Sequence, residues 1–411
     1  MKRETFHDVI IIGAGPSGSV AAAMLSGHGH DVLVLEREQF PRFSIGESLL
    51  PQCMGILDRA GLLRGVVETG FQFKCGAAFT RHGERASFDF RDKFTDDWGT
   101  TYQVPRADFD LVLARGAAKA GANVLFRETV QAIDWVDGRP VLMVRDSEGQ
   151  VWRRSATFVL DASGFGRVLP RLLELETPSS LPVRQAIFTH VRDHFPTPAF
   201  DRSRILVSIH PERSDVWYWA IPFSGGRASV GVVGTPEFLA TDGRDLTERL
   251  RGLIQEDPNQ RPLFADTEWD TPAQSLRGYS ANVKALHGPG WALLGNAAEF
   301  LDPVFSSGVT IALRSAELAA GCVHRLLRGE PVDFQQEYDQ PLRLGIETFR
   351  AFVTGWYDGT TQDIIFARRP DPDIRRMICA VLAGYAWDQK NPYVAAPRRL
   401  RVLAEQCASQ R

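Results

Sequence analysis

The stretch His7–Gly29, "HDVIIIGAGPSGSVAAAMLSGHG", decides how the chain begins to fold. An apolar run stops at Gly13 and small residues follow, so a buried strand turns directly into a helix. "DVLVLER" (Asp31–Arg37) supplies a second strand. This βαβ unit predicts a doubly wound parallel sheet. Gly13, Gly15 and Gly18 stand at G-x-G-x-x-G spacing. They permit a tight turn and let the backbone approach a pyrophosphate, which would sit at the helix N-terminus beside Pro16 and Ser17. Glu36 closes the second strand at the distance that ribose recognition requires. Such a site alone does not separate NAD from FAD.

Working outward, "VPRADFDLVLARGAAKAGANVLF" (Val104–Phe126) reads as a helix feeding a strand, and "ATFVLDASGFGR" (Ala156–Arg167) as a strand ending in a glycine-rich turn. From about Leu181 to Trp269 the texture changes to short alternating runs, "ILVSIH", "VWYWAIPF" and "RASVGVV", separated by turn residues. These predict an antiparallel sheet. Within Val216–Phe223, alternation puts Trp217 and Trp219 on one face and Tyr218 on the other, with Pro222 ending the pairing. Gly290–Leu327 returns to strand, loop and long helix, and the tail from Gln335 is helical and aromatic. The expected fold class is α/β. It consists of a split doubly wound nucleotide-binding domain (1–75, 105–180 and 275–330), an inserted antiparallel β-sheet substrate domain (76–104 and 181–274) and a helical C-terminal region (331–411).

The 411 residues are 44% hydrophobic and 24% charged, with a net charge of −3. A charge so near zero gives no electrostatic case for nucleic acid or for stable membrane association. The five cysteines (Cys53, Cys75, Cys322, Cys379, Cys407) show no metal-ligand spacing and read as reduced thiols of a cytoplasmic protein. The apolar run near the N-terminus is too short to cross a bilayer, so neither a signal peptide nor an anchor is expected.

Two later segments bear on the cofactor. "DASGFGR" (Asp161–Arg167) and "GNAAEFLDP" (Gly295–Pro303) lie where flavoprotein hydroxylases carry their second and third FAD fingerprints. On these residues the chain resembles the flavin monooxygenase superfamily. The third fingerprint usually reads Gly-Asp-Ala. Here Asn296 replaces the Asp and still offers a hydrogen bond to a ribityl hydroxyl. "FPRFSIGESLLP" (Phe40–Pro51), "GFQFKCG" (Gly70–Gly76), "WYWAIP" (Trp217–Pro222) and "FLDPVFSSG" (Phe300–Gly308) narrow the resemblance to flavin-dependent halogenases.

That resemblance implies non-covalent FAD and O₂, with reduced flavin or NAD(P)H as electron source, and admits a separate flavin reductase. The cofactor residues it implies are Gly13, Gly15, Pro16, Ser17, Gly18, Glu36, Arg37, Arg42, Ser48 and Arg106 from the first half. Asp161, Gly164, Asn296, Asp302, Pro303, Ser307, Gly308 and Val309 complete the set. The catalytic residues it implies are Lys74, Trp217, Trp219 and Ser306. A flavin C4a-hydroperoxide would oxidise halide, the tryptophan strand would keep the substrate from the flavin, and Lys74 would receive the hypohalous acid. Burial among Phe71, Phe73 and Phe79 would lower the lysine's pKa. The plainer alternatives are a solvated strand-face lysine and tryptophans that are ordinary sheet core. Glu47 and Ser48 are expected to organise their loop, His190 and His210 to be structural, and Cys75 to be a small buried hydrophobe.

The tail carries Trp356, Tyr357, Tyr385, Trp387 and Tyr393 among arginines. It resembles flavoproteins that mature tryptophylquinone enzymes, although a helical cap would read the same way. The leading expectation is therefore a FAD-dependent monooxygenase that hydroxylates a tryptophan indole carried on a partner peptide or protein. The alternative is halogenation of an indole, phenol or pyrrole through Lys74. More remote are a non-catalytic escort protein on the same fold and a lipid-substrate reductase.

Overall fold

A computed structural model describes residues 4–195, 200–241, 243 and 245–408, so the outermost positions of the first and last expected segments lie outside it. Strand Glu4–Ile12 runs parallel to Val32–Glu36 on one side and to Val151–Asp161 on the other. Asn123–Phe126 and Trp291–Leu293 extend this parallel sheet at its two ends. Val9–Ile12 and Val32–Leu35 are buried without alternation, as strands covered on both faces must be. Helices Pro16–Gly27 and Ser307–Leu327 pack against each other; the first begins just after strand Glu4–Ile12, the second after the loop that follows Trp291–Leu293.

A second, seven-stranded sheet runs in the order Gln274–Arg277, Gln185–Arg192, Arg227–Gly234, Trp217–Phe223, Arg204–Ile209, Gly76–Arg81 and Glu84–Asp89. It is antiparallel as expected except at one pair. Arg204–Ile209 runs parallel to Gly76–Arg81, because these strands come from distant segments that no hairpin joins. Pro222 does not end the pairing outright. Pairing with Arg204–Ile209 stops at Ala220, whereas on the other side Pro222 still sits opposite Ala228.

Alternation places the aromatic residues as expected. Trp217 and Trp219 belong to the large core shared with the parallel sheet, and Tyr218 belongs to a separate core on the other face. The Trp219 ring lies over Gly231 of the neighbouring strand, where a Cβ would come within 2.3 Å of it. The tail supplies helices Gln340–Tyr357, Thr360–Ile365, Pro372–Leu382 and Arg399–Ala408. Its tryptophans turn inward. Trp356 is fully buried against Phe305 and Phe79, and Trp387 covers Gly345. No helix among the described residues is long and apolar enough to cross a membrane.

Candidate active site

A cavity of about 620 Å³ is lined by residues of both sheets and of the loops between them. Of the expected first-half residues, Gly13, Gly15, Pro16, Ser17, Glu36, Arg37, Arg42, Ser48 and Arg106 line it. From the second half, Gly164, Asn296, Pro303, Ser306, Gly308 and Val309 do so, and Trp217 and Trp219 form part of its wall.

The glycines divide by role. Gly13 has φ +100°, and a Cβ there would lie 2.6 Å from the Ala162 carbonyl oxygen. A Cβ at Gly18 would lie 1.9 Å from the Gly13 carbonyl oxygen, so both glycines serve the packing of helix on strand. Gly15 is different, with an ordinary φ of −66°. A Cβ there would meet only the Arg42 guanidinium, at 3.7 Å, and would otherwise project into the cavity.

Several features ask for an anionic ligand. Helices Pro16–Gly27 and Ser307–Leu327 both start at the cavity, and neither N-cap residue offers a side-chain bond to the free amides. Uncapped N-termini carry positive potential. Arg42 lies 3.0 Å from Asp110, yet its buried Nη1 makes no aligned hydrogen bond. Arg106 is spent on the same aspartate, with Nε and Nη2 at 2.8 and 3.0 Å from its two oxygens. Glu36 accepts from the amides of Ala14 and Glu38, both at 2.9 Å, and so fixes the glycine turn while facing the cavity. These donors and the open cradle at Gly15 fit a dinucleotide with its pyrophosphate between Gly15 and Arg42.

Lys74 lies behind this cavity and does not line it. It is 0% exposed, which rules out a solvated strand face. Its Nζ donates to Ser48 Oγ and to the Leu49 carbonyl, both at 2.7 Å, and lies 5.3 Å from the centre of the Phe90 ring. The expected neighbours need correction. Phe73 is 45% exposed because it alternates to the other face of the short strand Gln72–Lys74, and Phe90 takes its place at the amine. Burial pulls the amine's pKa down from 10.5 to about 7, partly offset by Cys53 and Cys75. A neutral amine has two N–H donors, and both are used here, which leaves the lone pair free.

Four other expected cofactor residues stand outside the cavity lining. Gly18 acts in packing, as described. Asp161 is fully buried and accepts from the amides of Ser163 (2.9 Å) and Leu169 (2.6 Å), so it pins the glycine-rich turn from behind. Asp302 accepts from the Tyr279 and Tyr357 hydroxyls (3.1 and 2.8 Å) and from the Val304 amide (3.0 Å). Ser307 is buried in the first turn of its helix. Ser306, expected to be catalytic, lines the cavity at φ +56° and makes no bond to Lys74; the hydroxyl at the amine is that of Ser48.

The sequence did not announce two pairings. His190 is bonded through Nε2 to Glu47 Oε1, a carboxylate in the cavity wall, rather than being satisfied elsewhere in the core. Tyr357 joins Trp217 to Asp302: the indole donates to the Tyr357 oxygen at 3.1 Å. "GES" marked Glu47, but nothing local to either stretch pointed to its partner.

Comparison with known proteins agrees with this geometry. The family described as "FAD binding domain" matches residues 7–313. Tryptophan 2-halogenase of Chondromyces crocatus is 30% identical over 78% of this chain, and the match spans 62% of that longer protein. The 1H-pyrrole-2-carbonyl-[peptidyl-carrier protein] chlorinase of Pseudomonas fluorescens is 28% identical over 93% of this chain and 90% of its own length. A flavoprotein/dehydrogenase structure from Cytophaga hutchinsonii superposes with a TM-score of 0.95 at 42% identity, covering 98% of this chain and 99% of that one. None of the three names describes a tryptophylquinone-maturation protein, so the expected resemblance of the tail and the hydroxylation reading built on it gain no support here. A cradle shaped for a dinucleotide and a matched FAD domain together place the chain: it belongs to the FAD binding domain family and is a FAD-dependent enzyme similar to flavin-dependent halogenases.

Proposed function

We propose that this protein halogenates an electron-rich aromatic or heteroaromatic ring (indole, phenol or pyrrole) through Lys74. The observation that carries the reading is a fully buried lysine with a lowered pKa, hydrogen-bonded to Ser48 in the lining of a cavity that Trp217 and Trp219 also line. Bound reduced FAD, given O₂ and halide, supplies hypohalous acid. Gly15, Arg42 and the two helix N-termini would hold the cofactor's phosphates. Trp217 and Trp219, 1% and 4% exposed, line the cavity and would keep an organic ring from the flavin, while the oxidant would reach Lys74 beside Ser48, which lines the cavity and bonds to the amine. At Lys74 the free lone pair attacks the halogen of HOX. An N–X bond forms, the O–X bond breaks, and hydroxide leaves to take up the amine proton as water. The ring carbon then attacks the halogen, the N–X bond breaks with its electron pair returning to nitrogen, and the ring's proton goes to that nitrogen and restores the amine.

The wall also weighs between the two chemistries. A hydroxylase needs its substrate within direct reach of the flavin, hence an opening between these tryptophans. Here the indoles are buried, 5.8 Å apart, and each is hydrogen-bonded. A ring delivered on a carrier protein, as the name of the Pseudomonas relative describes for that enzyme, fits this reading, as does a separate flavin reductase. Full-length protein given reduced FAD, O₂, bromide and each ring class should yield products heavier by one bromine. Products heavier only by one oxygen would overturn the reading in favour of hydroxylation.

The amine sets a pH dependence. Its folded pKa is depressed, so the nucleophilic neutral form appears as pH rises through about 7 instead of 10.5. Single-turnover halide transfer should therefore rise about tenfold between pH 6 and 8 and then level off. A rate that falls across that interval would mean that the ammonium is the working form, holding HOX by a hydrogen bond.

A further inference from the structure

We propose that Tyr357, at the end of the tail helix Gln340–Tyr357, is a positioning residue that holds the Trp217 indole in the wall and so sets how much oxidant reaches Lys74. The proposal rests on the halogenase reading of this site. The wall's two indoles are held in different ways. Trp219 Nε1 donates to Ser229 Oγ at 3.0 Å, within its own sheet. Trp217 Nε1 donates outside the sheet, to the Tyr357 oxygen at 3.1 Å.

Donor arithmetic fixes the direction of this link. An indole N–H only donates, and a tyrosine hydroxyl has one hydrogen to give. Tyr357 gives it to Asp302 at 2.8 Å, so its lone pair is what faces Trp217. Asp302, whose pKa is raised by complete burial and drawn back chiefly by the Tyr357 bond, ends the chain of donors. Tyr279 donates to the same carboxylate oxygen at 3.1 Å but has no bond to Trp217. The segment bearing Tyr357 has little freedom. The Arg184 guanidinium stacks on the Tyr357 ring at 4.2 Å while pairing with Asp215 at 2.9 Å. The preceding Trp356 is fully buried, and its carbonyl accepts from Gln362. Removing one oxygen would strand the N–H of an indole that is 1% exposed, and an unpaired buried donor drives its ring to move.

The test uses the full-length, FAD-loaded protein and Tyr357→Phe, with Tyr279→Phe as comparison. Indole ¹⁵N–¹H spectra, with Trp217 assigned by Trp217→Phe, should show the Trp217 N–H shifted upfield and exchanging with solvent at least about tenfold faster in Tyr357→Phe, and unmoved in Tyr279→Phe. In turnover with bromide, Tyr357→Phe should reoxidise FAD within about twofold of wild type while product per FAD falls about fivefold. Hypobromite caught by a small carbon-acid trap in solution should rise to match. An unmoved Trp217 resonance overturns the proposal, as does a shifted resonance with unchanged product per FAD. If wild-type protein brominates nothing, the halogenase reading falls, and the resonance still decides whether Tyr357 holds Trp217.

Discussion

Replacing Lys74 with methionine is expected to lower halide transfer by at least about a thousandfold while reduced FAD is still consumed within about twofold of the wild-type rate. The split follows from position. Lys74 does not line the flavin cavity, so a side chain of similar length that lacks the amine touches the cofactor's surroundings only through the Ser48 hydroxyl that loses its partner. It removes the lone pair that accepts the halogen. Oxidant then leaks or hydrolyses, and a solution trap collects it. Product formation that survives the substitution would take Lys74 out of the reaction. The same variant carries a stability signature. The folded-state pKa of this base is depressed from 10.5 to about 7, so between those values the folded chain binds fewer protons than the unfolded chain. Stability therefore climbs as pH rises from about 7 to 10.5. Below about 7 both states are protonated and the penalty stays at its full size, roughly 3–5 kcal/mol. Methionine abolishes that penalty and leaves the Leu49 carbonyl and Ser48 hydroxyl without the amine, at about 1–3 kcal/mol for a buried group. At pH 7 the variant should melt at or above the wild-type temperature, and its advantage should shrink as pH approaches 10. A lower melting temperature at pH 7 would mean that the amine's two hydrogen bonds outweigh its burial.

Which parts of this site could be read in advance follows from how far apart the cooperating residues lie in the chain. The strand-to-helix turn at Gly13–Gly18, the closing Glu36 and the shared face of Trp217 and Trp219 are set by spacing within a few residues of an element, and each stands where that spacing puts it. The surroundings of Lys74 are assembled from three separate segments. Ser48 and Leu49 come from one, Cys53 from the helix after it, and Phe90 from beyond a later hairpin, so alternation around residue 74 alone named the wrong phenylalanine. Tyr357 meets Trp217 across 140 positions, and His190 meets Glu47 across 143. The tail shows the same limit from the other side. Its aromatic residues fitted a tryptophylquinone-maturation tail and a helical cap equally, because composition cannot tell an outward stripe from an inward one. Trp356 and Trp387 spend their rings on the protein's own core, and Tyr357 spends its hydroxyl on the wall.

Gly15→Val should fold as wild type does and come off a column colourless, with FAD affinity reduced at least about a hundredfold, or roughly 3 kcal/mol. The three glycines of the motif fall into two kinds, and the contrast carries the argument. At Gly18 a side chain runs into the Gly13 carbonyl at 1.9 Å, and at Gly13 it meets the Ala162 carbonyl at 2.6 Å in a left-handed backbone. Valine at either position should cost stability whether or not FAD is present. At Gly15 the backbone is ordinary and no protein atom other than the Arg42 guanidinium lies within 4 Å of the added carbon. The protein alone gives no reason for a glycine there; a ligand pressed against the backbone does. Valine's methyl groups would stand where the pyrophosphate must approach the free amides of the Pro16–Gly27 helix, and would hold it away from Arg42 as well. Flavin absorbance per protein after gel filtration, together with the melting temperature of FAD-free protein, separates the cases. Full FAD binding by Gly15→Val would move the pyrophosphate away from this turn. A collapse in the melting temperature of the FAD-free variant would show that Gly15 serves packing, as Gly13 and Gly18 do.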